Sequence, residues 1–156
     1  MNGAEKLLEL AVSKGITASV AESCTGGLLG GRITSVPGSS EYFAGGVIAY
    51  SNRIKERILN VSAETLANFG AVSEQCAREM VVGVRELFGT ELGIAITGIA
   101  GPSGGTADKP VGTVYIAVAL GDRIVVERFR FGGDREAVRS QSVEAALEMA
   151  VKLLEG

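Results

Sequence analysis

Ser23 is the residue of this sequence best placed to attack a substrate. It lies in Ala21-Glu22-Ser23-Cys24-Thr25-Gly26-Gly27, after an apolar β-like run, Ile16 to Val20, and before a helix-like run, Leu28 to Ile33. A small polar side chain at a strand end that turns at once into a helix stands clear of the sheet. The unpaired N–H groups of the first helical turn then face whatever it attacks. Gly26 and Gly27 carry no Cβ, so a substrate could come close to that backbone. The same residues also read as a helix cap at Ser23 or Thr25, with glycines that ease packing.

The sequence contains no histidine. A Ser-His-Asp triad, a Cys-His pair and a histidine-ligated metal are therefore excluded, and a base for Ser23 must be a carboxylate, a lysine or a water. The lysines are Lys6, Lys14, Lys55, Lys109 and Lys152. Lys55 follows Tyr50-Ser51-Asn52-Arg53-Ile54 at the start of a helix just after a strand end, so it and Ser23 could share one edge of a sheet. Burial and the nearby Arg53 and Arg57 would favour the neutral amine that a general base needs. An exposed helical lysine is the alternative. Lys6, Lys14 and Lys152 fall on terminal helices with solvent faces, which leaves Lys109 as the rival. Cys24, with no histidine to activate it, reads as a small buried filler, and Cys76 as structural.

Two further features suit an anion. The run from Gly98 to Pro110 is glycine-rich, follows an apolar strand and is too long for a routine connection. Backbone N–H groups in such loops cradle anionic groups, although a mobile surface loop reads equally well. It matches neither the P-loop nor the dinucleotide fingerprint. Arg135 and Arg139 lie four apart in the first turns of the last helix, where cations oppose the helix dipole. Asp134 or Glu136 could compensate them, or a ligand phosphate or carboxylate held by bidentate arginine.

These residues need elements to hold them. The 156 residues suit one domain spanning 1–156, and 46% hydrophobic composition excludes disorder. A net charge of −3 argues against nucleic acid as a partner. No apolar run is long enough for a bilayer and the start lacks a signal-peptide core, so no membrane partner and a cytoplasmic setting are expected. Two cysteines give no disulfide framework, and neither metal nor cofactor is called for.

Helices are predicted over Ala4–Lys14 with Gly15 as the stop, Thr25–Thr34, Arg53–Leu59 after a Ser51-Asn52 cap, a short one capped by Ser62, and Glu74–Phe88 closed by Gly89. A last helix, capped by Asp134, runs to about Leu154. Strands are predicted over Ile16–Ala21, Gly46–Tyr50 and Leu92–Thr97. Gly112–Leu120 and Arg123–Phe131 form a hairpin about Gly121-Asp122. Together these predict an α/β fold: a single-domain layered α/β sandwich with a mixed sheet and a C-terminal hairpin followed by a long helix. Broad apolar helix faces suit a homo-oligomer.

In combination the motifs resemble the C-terminal domain of the CinA family, whose stand-alone form is a nicotinamide-nucleotide amidase. The matching runs are Ala21 to Gly27, Gly46 to Lys55, Gly70 to Glu74, Thr97 to Thr106, Lys109 to Tyr115, and Gly133-Asp134-Arg135 with Arg139. They cover nearly the whole chain in order. The larger N-terminal domain of full CinA proteins has no counterpart among these residues, and its activities are not carried over. The resemblance implies hydrolysis of the carboxamide of nicotinamide mononucleotide to nicotinate mononucleotide and ammonia. It also implies a serine nucleophile with a lysine base, which falls on Ser23 and Lys55. Amide N–H groups near Thr25 and Gly26 would hold the oxyanion. The 5′-phosphate would sit against the loop at Gly101, Gly104, Gly105 and Thr106 and against an arginine. Arg139 is grouped with the catalytic residues and Arg135 with the substrate contacts, in an order the sequence does not fix. Tyr50 and Thr97, at strand ends, are further ligand contacts. Two other readings stay open: a pyridine-nucleotide-binding module without turnover, and an amidase for a different amide.

Overall fold

The computed structural model describes residues 1–156. In chain order the elements are α1 (Gly3–Lys14), β1 (Ala18–Glu22), α2 (Leu28–Thr34), β2 (Phe43–Ile48), α3 (Asn52–Leu59), α4 (Ala63–Asn68), α5 (Glu74–Phe88), β3 (Leu92–Gly98), β4 (Thr113–Leu120), β5 (Arg123–Arg130) and α6 (Arg135–Glu155). A single 3-10 turn, Ser39–Glu41, precedes β2. The caps form as their chemistry dictates. Ser51, Ser62, Ser73 and Asp134 each accept an N–H from the first turn of the helix that follows. Gly15 and Gly89 end α1 and α5 in the left-handed conformation. No helix is long and apolar enough to cross a membrane.

The strands form one sheet in the order β2-β1-β3-β4-β5, parallel among β2, β1 and β3 and antiparallel from β3 to β5. This is the mixed sheet expected, with helices on both faces. β1 is buried throughout, β3 nearly so, while the edge strands β2 and β5 alternate in exposure. Period-2 alternation makes the two faces of the sheet unlike. Val20, Ile94, Ile96, Val114, Ile116 and Val118 point to the face covered by α1, α2 and α6. Ala21, Ala95, Ala117 and Ala119 point to the face covered by α5, so that helix packs close. α3 rests in turn on α5.

That second layer fixes α3 in place. A Cβ on Gly83 of α5 would stand 1.9 Å from the carbonyl oxygen of Leu59, the last residue of α3. Gly83→Ala would gain about 1 kcal/mol of helix propensity. The overpacking it forces costs about 1–3 kcal/mol or more, because the obstructing atom is backbone. The expected result is a lower melting temperature, and reduced activity because α3 carries Lys55. Thermal unfolding monitored by circular dichroism checks the first.

β1, β2 and β3 end at the same edge of the sheet. The chain leaving β1 passes to one face as α2, and the chain leaving β2 passes to the other as α3–α5. Diverging connections of this kind open a crevice at the carboxyl ends of parallel strands.

Candidate active site

Ser23 follows β1 directly, and its N–H donates to Ile96 O at 3.0 Å, so the sheet ladder continues to the residue itself. One position beyond Glu22, its side chain emerges on the α3–α5 face. Lys55 meets it there. On α3 the buried residues are Lys55 and Leu59, an i,i+4 pair on one stripe, with the half-buried Ile54 beside them. Lys55 is 1% exposed, against the usual fate of a helical lysine. Its Nζ lies 3.0 Å from Ser23 Oγ, 2.9 Å from Ala49 O and 3.2 Å from Tyr50 O. A neutral amine fits this set well: two N–H groups serve the two carbonyls, and the lone pair receives the Ser23 hydroxyl.

Burial lowers the Lys55 pKa from its ordinary value. The opposing influences, Cys76 first and then Cys24, act only as thiolates. Burial pushes both thiols up to about 11, so near neutral pH they are uncharged and offer the lysine little. The expectation that Arg53 and Arg57 favour the neutral amine is corrected: both are exposed, and burial does the work.

Ser23 and Lys55 open onto a cavity of about 310 Å³, within the usual ligand-site range of about 300–1,000 Å³. Tyr50, Thr97, Gly101, Gly104 and Arg135 line it, five of the expected contacts. Thr97 is wholly buried and gives its hydroxyl to Ala71 O at 2.8 Å. Arg135 donates to Gly101 O at 2.8 Å and to the Tyr50 hydroxyl at 3.1 Å, which joins α6, the glycine-rich loop and the end of β2 at the mouth. Asn52 and Ser103 also line the cavity, and their side chains have no partner in the protein. In the sequence Asn52 reads only as part of a cap, and nothing there distinguishes Ser103 from its loop neighbours.

Several expected contacts fall elsewhere. Gly105 and Thr106 do not line the cavity. Residues 106–109 close on themselves, with Thr106 N–H donating to Lys109 O and Lys109 N–H to Thr106 Oγ1. Gly105 backs onto Val111, whose nitrogen a Cβ there would approach to 2.7 Å. Lys109, the rival base, donates to Phe69 O and is nowhere near Ser23. Thr25 is wholly buried with its hydroxyl given to Glu22, so it is not a side-chain contact for substrate. Arg139, grouped with the catalytic residues, reaches the backbone instead: Nε donates to Cys24 O at 3.1 Å and Nη2 to Thr25 O at 3.0 Å. It faces a second cleft, with Arg32 and Ser140, which Arg135 borders as well. The two arginines of α6 thus donate to carbonyl oxygens, while Asp134 caps the helix at Ala137 N–H and pairs with neither of them.

The oxyanion donors need a similar correction. Gly26 N–H is spent on Ser23 O at 3.1 Å, and Leu29 and Gly30 give theirs to Glu22. The N–H groups of Cys24 and Thr25 have no backbone or side-chain oxygen acceptor. Arg139 holds the Cys24 carbonyl, and in a planar trans peptide the Thr25 N–H must point the opposite way. No group of three or more acidic, cysteine or histidine side chains is placed to hold a metal.

A layered α/β domain with a serine and a buried lysine at the sheet's carboxyl edge matches known proteins throughout its length. Residues 2–154 match the CinA C-terminal domain, and the chain belongs to that family. It is 48% identical over 152 residues to a CinA-like protein of Thermotoga maritima, an alignment that covers 97% of this chain and 37% of that protein. It is 51% identical over 144 residues to one from Citrifermentans bemidjiense, which covers 92% of this chain and 35% of the relative. The chain therefore spans little more than a third of the curated relatives it matches. Among solved structures, a CinA superfamily protein of Klebsiella pneumoniae superposes with a TM-score of 0.94 at 37% identity, covering 99% of both chains. The competence/damage inducible protein CihA of Agrobacterium tumefaciens gives 0.91 at 38% identity, covering 100% of this chain and 98% of that one.

Proposed function

We propose that the chain hydrolyses the carboxamide of nicotinamide mononucleotide, releasing nicotinate mononucleotide and ammonia through an acyl-enzyme on Ser23. The observation that carries the reading is the buried Lys55 amine 3.0 Å from Ser23 Oγ in a chain without histidine. Lys55 takes the hydroxyl proton as Oγ bonds to the amide carbon, and the carbonyl pair moves onto oxygen. The Thr25 and Cys24 N–H groups are the free donors for that oxyanion. As the C–N bond breaks, Lys55 returns the proton to nitrogen and ammonia leaves. A water then adds to the ester and gives Lys55 a proton, which restores the Ser23 hydroxyl as nicotinate mononucleotide departs.

Arg135 is the group best suited to the 5′-phosphate. It is held at the cavity mouth by Gly101 O and the Tyr50 hydroxyl and has N–H groups to spare. Arg135→Ala is expected to raise KM for the mononucleotide about 10–100-fold, from the loss of charge-assisted hydrogen bonds. It would leave hydrolysis of unphosphorylated nicotinamide riboside little changed. Equal effects on both substrates would take phosphate recognition away from Arg135. The reading itself is tested by ammonia release from nicotinamide mononucleotide in the presence of EDTA. Turnover by the wild type and its loss in Ser23→Ala are expected; a wild type that binds the nucleotide without releasing ammonia would be a binding module.

A further inference from the structure

We infer that Glu22 is a positioning residue for the nucleophile: its buried carboxylate grips Thr25 and the first turn of α2, and so holds the turn that carries Ser23. This rests on Ser23 acting as the nucleophile of the proposed amidase.

Glu22 is 2% exposed, yet neither ion pair of the molecule involves it. A carboxylate without a cation is costly to bury unless donors satisfy it. Three do. Oε1 accepts from Thr25 Oγ1 at 2.6 Å and from Leu29 N at 2.9 Å, and Oε2 accepts from Gly30 N at 2.9 Å. A helix end needs such an acceptor, but it is usually supplied by the N-cap residue. Here the N-cap is Gly27, at φ 104° and with no side chain to offer. The acceptor comes instead from the residue before Ser23, on the far side of the turn. The bonds therefore tie the end of β1 to the start of α2 across Ser23–Gly27, rather than capping the helix alone.

The geometry of that tie reaches the reacting atoms. Glu22 lies on the α2 face of β1 and Ser23 on the α3–α5 face, so fixing one side chain fixes the direction of the next. Thr25 is held twice, by its hydroxyl on Glu22 and by its carbonyl, which accepts from Arg139 Nη2 and from Leu28 N. Its N–H is one of the two free donors assigned to the oxyanion. Glu22 and Arg139 together hold the turn through the Thr25 hydroxyl and the Cys24 and Thr25 carbonyls, which fixes the backbone that carries Ser23 Oγ and the Thr25 N–H. Displacement by about 1 Å can cost about 100-fold in rate.

The test uses the full chain with Glu22→Gln, Thr25→Val and Thr25→Ser, with kcat expressed per folded molecule. Glu22→Gln and Thr25→Val are expected to lower kcat for nicotinamide mononucleotide about 10–100-fold, with KM changed by less than about twofold. Thr25→Ser, which keeps the hydroxyl, should stay within about threefold of wild type. The pH midpoint of kcat should not move, because Glu22 is not among the groups that shift Lys55. A midpoint that moves would make Glu22 an electrostatic group and overturn the positioning role. So would wild-type kcat in folded Glu22→Gln; should that variant not fold, wild-type kcat in Thr25→Val has the same force.

Modification of Ser23 by phenylmethanesulfonyl fluoride, followed by intact mass, separates this inference from the amidase reading. Slower labelling in Glu22→Gln and Thr25→Val is expected whatever the natural amide is. If the wild type labels but releases no ammonia, the amidase reading fails while slowed variants sustain the positioning role. Equal labelling rates in all four proteins overturn the positioning role alone. A wild type that neither labels nor turns over removes the nucleophile, and the inference with it.

Discussion

Ser23→Ala is expected to lower kcat for ammonia release from nicotinamide mononucleotide by about 10⁴-fold or more, since removal of an attacking hydroxyl leaves only binding and oxyanion stabilisation. The substitution keeps Cβ, and Ser23 contributes one wall among many to the cavity, so nucleotide binding should survive. Lys55 keeps its bonds to Ala49 O and Tyr50 O and stays in place. The prediction therefore separates two quantities that a collapsed site would lose together: turnover disappears, while the thermal shift produced by the mononucleotide remains. Residual turnover above about a tenth of wild type would mean that water attacks the amide directly with Lys55 as its base, and the acyl-enzyme would have to be abandoned.

How much of this was legible in the sequence depends on how far apart the interacting residues lie along the chain. Helix ends were readable because their chemistry is local: Ser51, Ser62, Ser73, Asp134, Gly15 and Gly89 act on residues within four positions. The central strand β3 was readable as a continuous apolar run. The start of β2 was not, because Gly45 and Gly46 interrupt its alternation, and the strand begins at Phe43 rather than Gly46. The start of α2 was misplaced at Thr25 because Gly26 and Gly27 adopt positive φ and delay the helix to Leu28. The absence of histidine narrowed the base for Ser23 to a carboxylate, a lysine or a water, with Lys109 still a rival, and the family resemblance implied Lys55. The division of labour between Arg135 and Arg139 was not legible, because four residues of helix leave both on one face and only the tertiary structure shows that one meets a cavity and the other a turn. Glu22 was invisible for a related reason: two of its three partners lie seven and eight residues on, beyond any local capping pattern.

Lys55→Met carries the second large expectation, a fall in kcat of about 10²–10⁴-fold, the contribution of a positioned general base. Methionine has nearly the length of lysine without its charge, so the buried stripe of α3 stays filled. Lys55→Arg should be as inactive, because a guanidinium does not give up its proton and cannot serve as base. The pH dependence supplies the sharper evidence. Burial lowers the Lys55 pKa, so the neutral amine becomes populated at a lower pH than for a free lysine. Wild-type kcat should rise with pH through that lowered pKa and level off above it, whereas the residual activity of Lys55→Met should lack this limb.

Stability should follow the same group with a definite sign. Between the lowered folded pKa and the unfolded value of about 10.4, the unfolded lysine holds a proton that the folded one does not. Stability therefore rises with pH across that window and is reduced below it. The difference in unfolding free energy between wild type and Lys55→Met should accordingly move in favour of the wild type as pH increases through the window. A difference that stays flat there would mean that Lys55 is charged in the folded protein at neutral pH. Its three acceptors would then be holding an ammonium, and Ser23 would have no base.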